Sequence, residues 1–195
     1  MSHHQAGMPE SRPPLEIAGR SLADIARAME GRRLPPVEQW NPSHCGHSGM
    51  RIARDGTWYH EGHRIERAGM VRLFSTVLRR EEDGSHVLVT PTEKLTIEVD
   101  LAPFVATAMR TEGHGRDRRI AFELNSGDAV LLGPEHPLRL VSEPTGPVPL
   151  IGVRGRLEAS LARPVYYELA ELALAEGGDA PGVWSDGAFF SLSAQ

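Results

Sequence analysis

The 195-residue sequence predicts an α+β protein of two lobes with similar strand-helix-strand make-up. Two observations carry this reading. First, short runs of period-two hydrophobicity, such as Leu95-x-Ile97-x-Val99, interchange with stretches whose apolar residues recur at helical spacing. Second, a shift of about 96 residues lays Gly56, Ile65, Arg67, Leu73, Leu78 and Val87 on Gly152, Leu161, Arg163, Leu169, Leu174 and Val183. Each set then runs strand, turn, arginine, helix, turn, strand, which is the pattern of an internal duplication.

Residues 1–19 are polar and carry Pro9, Pro13 and Pro14, so they are expected to form a disordered lead. The N-terminal lobe is assigned to residues 20–102. Ser21 opens a short helix with Leu22, Ile25, Ala26 and Met29 on one stripe, and Gly31 stops it. Leu34-Pro35-Pro36 is a stiff connector into Trp40-Asn41-Pro42. Strands are expected over 50–54, 57–60 and 63–65, separated by the turn signals Asp55-Gly56 and Glu61-Gly62. A helix is expected over 68–80, with Val71, Phe74 and Leu78 on its buried stripe, ending at Asp83-Gly84. Strands over 87–90 and 94–99 complete the lobe.

Pro103 marks the boundary to a C-terminal lobe over 103–195. Strands are expected over 104–110 and 120–124, and Asn125 to Asp128 turns into the apolar run Ala129-Val130-Leu131-Leu132. Five prolines between Gly133 and Pro149 predict loop there, with at most one short strand over 138–141. A strand over 150–153 leads to a helix with Pro164 in its first turn, ended by Gly177-Gly178. Val183-Trp184 and Phe189-Phe190 then flank an Asp186-Gly187 turn.

The composition excludes several classes. A formal charge of −5 argues against general nucleic-acid binding, which needs a net basic face to displace counterions. No run reaches the ~20 apolar residues that a membrane-spanning helix needs. One cysteine, Cys45, permits no internal disulfide and fits a reducing, cytoplasmic compartment.

Among chemical candidates the arginines lead. Arg67 and Arg163 each precede a helix, where free backbone N–H groups favour an anion, and Arg154 ends a strand nearby. A guanidinium fork suits phosphate or carboxylate. Trp58 and Tyr166 could stack on a flat ring, and Glu93 and Lys94 complete the candidate ligand-binding set. The alternative is that these arginines bridge the lobes through Glu158 or Glu168, with the aromatics as core. A second cluster is His44, Cys45, His47, His60 and His63, which would suit a metal- or thiol-dependent enzyme that also uses Glu93. Cys-x-His is not a standard finger spacing, and a simply packed cysteine explains Cys45 as well. A third alternative is a scaffold that binds a protein partner, or a second copy of itself, through the proline-rich segment or a strand edge.

An ordered set of segments resembles one bacterial family. It comprises Trp40-Asn41-Pro42 with Cys45-Gly46; Met50-Arg51-Ile52-Ala53-Arg54-Asp55-Gly56-Thr57-Trp58; Leu73-Phe74-Ser75-Thr76-Val77-Leu78-Arg79-Arg80; Leu88-Val89-Thr90-Pro91; and Ala102-Pro103-Phe104. Further along come Gly133-Pro134-Glu135-His136-Pro137-Leu138-Arg139, Tyr166-Tyr167-Glu168-Leu169 and Gly182-Val183-Trp184-Ser185. Together they resemble the family catalogued as domain of unknown function 1285. The resemblance implies a repeated α+β architecture with a C-terminal lobe loosely like a pleckstrin-homology domain. It also implies a nucleotide-like ligand between the lobes and a signalling role, and assigns no catalytic activity. In one respect the chain departs from the pattern: Gly46-His47-Ser48-Gly49-Met50 carries no acid.

Overall fold

Hairpin turns set the topology. At Asp55-Gly56 the Asp55 carboxylate accepts the Thr57 N–H at 2.9 Å, which holds Asp55 below the usual carboxylate range, and Gly56 takes a left-handed φ of 83°. The computed structural model describes residues 21–22, 33–178 and 180–193. In the N-terminal lobe β1 (His44–Ile52), β2 (Trp58–His60) and β3 (His63–Arg64) form one antiparallel meander. Helix α1 (Ala68–Thr76) leads to a second meander of β4 (Leu78–Arg80), β5 (His86–Val89) and β6 (Glu93–Val99). The first and last strands pair in parallel, so the order across the sheet is β3-β2-β1-β6-β5-β4.

The C-terminal lobe repeats this plan. One meander is β7 (Phe104–Glu112), β8 (Arg119–Leu124) and β9 (Ala129–Leu131), and the other is β10 (Leu138–Glu143), β11 (Gly146–Arg154) and β12 (Leu157–Leu161). Again the first and last strands, β7 and β12, are parallel neighbours at the centre of six. Helix α2 (Arg163–Glu176) and the hairpin β13 (Gly182–Ser185)–β14 (Ala188–Ser191) follow.

Several expectations are corrected. The repeat has an offset near sixty residues, since β7 starts sixty after β1 and β10 sixty after β4. Helix α1 lies between the third and fourth strands of its lobe and α2 after the sixth, so the shift of about 96 superposes helices that occupy different places. The predicted helix over 68–80 ends at Thr76: Val77 offers its carbonyl to the Val89 N–H at 2.9 Å, and Leu78–Arg80 pair with β5. Strand pairing here overrides helical periodicity. Strand β1 begins at His44, earlier than expected, because its N-terminal half pairs with β6.

The segment expected to be loop is the β10–β11 hairpin. Pro147 and Pro149 pair with Ser142 and Leu140 of β10, whereas β12 pairs with β11 only from Leu150 onward. Their missing N–H groups fall at alternate positions of the stretch of β11 with a neighbour on one side only, where a ladder loses nothing. The expected disordered lead lies outside the described residues, as does most of the first helix. At its start Leu22 is buried and its N–H donates to Glu112 Oε1 on β7 at 2.8 Å.

One core spans both lobes. Ile52, Trp58, Leu78 and Ile97 of the first pack in the same cluster as Phe104, Phe122, Ile151 and Leu169 of the second. A small separate patch, Val37, Val87 and Val89 with Trp40 against it, covers part of the N-terminal lobe.

Candidate functional site

Three segments meet at a polar cleft between the lobes: the single helical turn Val37–Gln39 with Trp40, the end of β4 with the following turn, and the β11–β12 turn. The cleft has a volume of about 630 Å³ and is lined by Trp40, Arg79, Arg80, Glu82, Gly155 and Arg156 among others. Gly155 lies where the lobes meet. It takes φ 52°, and a β-carbon there would come within 2.9 Å of Glu38 Oε1.

The three arginines of the cleft differ in how far they are committed. Arg79 is buried; Nη1 donates to the carbonyls of Val37 and Trp40, both at 2.7 Å, and Nε to Glu81 Oε1 at 2.7 Å. Its donors hold the wall of the cleft in place. Arg80 crosses to the other lobe and meets Glu158 Oε2 at 3.1 Å. Arg139 grips the same Glu158 with two bonds of 2.6 and 2.7 Å, which raise the Arg139 pKa further. Arg156 meets Glu82 at 3.1 Å, but the Glu82 side chain is 89% exposed. An exposed pair of this kind contributes only ~0–1 kcal/mol, so Arg156 is free to change partner at small cost.

Beside this cluster His86 pairs with Arg80 across β4–β5. Burial, aided by the Arg80 charge, pulls its imidazole down to about 4, while Glu158 opposes the shift. His86 is therefore neutral at pH 7.

The residues singled out from sequence are scattered. Arg154 donates to the main-chain oxygen of Ser75 near the end of α1, and its guanidinium lies 5.2 Å from the centre of the Phe104 ring. Burial lowers its pKa, an effect partly offset by Asp128. Arg67 is exposed just before α1, about 13 Å of helix away from that contact. Arg163 is exposed at the start of α2, roughly 20 Å along β12 from the β11–β12 turn. The three arginines therefore do not converge. Trp58 is 2% exposed and stacks on Phe74 at 6.2 Å, so it is core. Tyr166 is half-buried on α2 and stacks on Tyr167 at 6.3 Å. Glu93 and Lys94 open β6 opposite His44 and Cys45, and Lys94 Nζ lies 3.8 Å from Glu81. Glu168 is exposed and joins no ion pair among the described residues.

The histidine and cysteine cluster does not assemble either. His47 Nδ1 accepts the Gly49 N–H at 3.1 Å, His63 Nδ1 donates to the Glu61 carbonyl at 3.0 Å, and Cys45 is exposed and free. Among the described residues no three His, Cys, Asp or Glu side chains converge as a ligand set for a metal.

Trp40, Arg79, Arg80 and Arg156 were missed as a group. The signal was Arg79-Arg80 followed by a glycine turn and Val87-Leu88-Val89: read as a hairpin, it places both arginines at one sheet edge, whereas read as a helix it disperses them.

The fold and cleft define a class: a two-lobed module whose repeated six-stranded mixed sheets share one core and enclose a charged crevice. Family models described as "Domain of unknown function (DUF1285), N-terminal domain" and "Protein of unknown function (DUF1285), C-terminal domain" match residues 35–102 and 103–192. The chain belongs to the DUF1285 family. It is similar to a crystal structure of a DUF1285 family protein from Silicibacter pomeroyi DSS-3, with 43% identity and a TM-score of 0.77 over 90% of this chain and 96% of that one. A DUF1285 family protein from Shewanella baltica OS155 matches at 20% identity and a TM-score of 0.48, over 66% of this chain and 92% of that one. Comparison with curated proteins finds no match.

Proposed function

We propose that the protein is a ligand-binding module whose inter-lobe cleft takes a small anionic, nucleotide-like molecule, with signalling rather than catalysis as its role. The observation that carries this is Arg156. It lies at a cleft of about 630 Å³, within the usual size of small-ligand sites, and its only ion-pair partner among the described residues is the highly exposed Glu82. A ligand phosphate would replace Glu82 and gain a charge-assisted, two-pronged hydrogen bond. Trp40, half-buried at the same cleft, offers the flat face that a base requires. Arg79 and Arg80, paired with Glu81 and Glu158, keep the walls in place.

No described helix is long and apolar enough to cross a membrane. The free Cys45 suits the reducing cytoplasm, where such ligands are abundant. We read the shared strand order of the lobes as an internal duplication. The likeness of the C-terminal lobe to a pleckstrin-homology domain rests on α2, which follows the last strand of its sheet. The test is a thermal-shift screen of nucleoside monophosphates, cyclic dinucleotides and inorganic phosphate. A ligand held at ~100 times its Kd raises stability by about 2.7 kcal/mol, a shift of several degrees. A flat screen at millimolar concentrations removes the proposal.

A further inference from the structure

A second recess lies wholly within the C-terminal lobe. It has a volume of about 630 Å³ and sits between the end of α2, the turn Gly115–Asp117 and the β13–β14 hairpin. The hairpin is seated firmly. Ser185 is fully buried; its hydroxyl accepts the Ile120 N–H at 3.0 Å and donates to the Leu132 carbonyl at 2.7 Å. The wall it presents is therefore pre-formed.

That wall is aromatic. Trp184 and Phe189 touch, with 5.4 Å between ring centres and the planes inclined at 57°, so they form one continuous wall, and Phe189 is 44% exposed. Arg116 lies over the Trp184 ring, with its guanidinium carbon 4.6 Å from the ring centre. In this stacked position the N–H groups point outward from the edge of the guanidinium and stay free to donate. Two arginines line the recess, but Arg118 is neutralised by Glu176 in a mostly buried ion pair. Arg116 has no carboxylate partner among the described residues.

The electrostatics limit the charge of the occupant. Among the described residues lining the recess Arg116 is the one cation without a carboxylate partner and favours an anion, yet α2 ends here, and a helix C-terminus carries partial negative charge. A dianionic phosphate would meet that repulsion more strongly than a carboxylate.

We infer that this recess is a binding site for a small aromatic monocarboxylate: the ring packs on the exposed side of Phe189, and the carboxylate is gripped by Arg116. The site is separate from the inter-lobe cleft and shares no residue with it.

The test is calorimetric titration of the full chain with naphthoate and, in parallel, naphthyl phosphate. Saturable binding of naphthoate at one site is expected, with naphthyl phosphate weaker. Arg116→Ala removes an exposed side chain and should leave the thermal midpoint unchanged while weakening naphthoate by about tenfold or more. Trp184→Phe keeps a smaller ring and should weaken it less. Arg156→Ala, at the other cleft, should leave naphthoate binding untouched. Absence of saturable naphthoate binding overturns the inference, as does binding that Arg116→Ala leaves unchanged. Naphthyl phosphate binding tighter than naphthoate overturns the assigned ligand class.

Discussion

Arg154 caps a helix that belongs to the other lobe: its Nη2 donates to the main-chain oxygen of Ser75, within the last turn of α1. The last carbonyls of a helix lack intrahelical partners and lie at its negative end, so a cation placed there satisfies both a hydrogen bond and a dipole. The Phe104 ring beneath the guanidinium adds a cation–π contact. This single side chain thus ties α1, the start of β7 and the β11–β12 turn together.

Replacing Arg154 with alanine should therefore destabilise the whole chain rather than empty a ligand site. Loss of the cap and the stacked contact is expected to cost about 2–3 kcal/mol. Chemical denaturation should report it as a lowered midpoint in one transition covering both lobes.

Glu158 is the acceptor for two arginines, Arg80 from the N-terminal lobe and Arg139 from its own. Glu158→Gln leaves the half-buried Arg80 and the exposed Arg139 short of an anionic partner. A loss of about 1–3 kcal/mol is expected, from three charge-assisted bonds lost or weakened. Double-mutant cycles with Arg80→Ala and Arg139→Ala should show coupling to each arginine, and the bidentate Arg139 should couple more strongly.

Gly56 lies at a contact between lobes. A β-carbon on it would meet Asn125 Nδ2 at 2.4 Å and Val105 Cγ2 at 3.0 Å, and its φ of 83° is already unfavourable for other residues. Asn125 is held in place, since its Oδ1 accepts the Val105 N–H at 3.0 Å. Gly56→Ala should lower stability by roughly 1–3 kcal/mol, combining backbone strain with overpacking. An unchanged melting temperature would show that the β1–β2 turn can move away.

His86 supplies a pH dependence whose sign follows from its depressed pKa of about 4. Between the unfolded value of roughly 6.5 and the folded value, the unfolded chain binds the proton and the native one does not. Its contribution to stability is thus whole above about pH 6.5 and is lost as the pH falls towards 4. Because the ring is only partly buried, the effect should be on the order of 1 kcal/mol. Denaturation midpoints at pH 7 and pH 5 should differ less in His86→Gln than in the natural chain.

Much of the local structure was legible in the sequence. Asp55-Gly56 and Glu61-Gly62 form the hairpin turns they suggest, and Pro164 lies in the first turn of α2. What local reading could not supply is pairing between distant segments. The parallel β1–β6 contact joins His44 to Glu93, and β7–β12 joins Phe104 to Ala159; no periodicity encodes either. The same gap hid which arginines meet between the lobes. Helix-preceding arginines look alike in sequence, yet Arg67 and Arg163 end up exposed while Arg80 and Arg156, at a strand end and in a turn, span the lobes. Trp58 shows a related limit, since an aromatic in a strand reads equally as core or as a stacking face until its neighbour Phe74 is placed.

The central claim is that Arg156 holds an anion in the inter-lobe cleft, and calorimetric titration of a nucleoside monophosphate into the natural chain and Arg156→Ala tests it most directly. Because the Arg156–Glu82 pair is exposed, the variant should keep its melting temperature within about 0.5 kcal/mol of stability change. The account predicts saturable binding by the natural chain and a loss of about tenfold or more in the variant. Equal affinity in the two proteins, or no saturable binding in either, would contradict it and leave the inter-lobe arginines as structural ties between the two sheets.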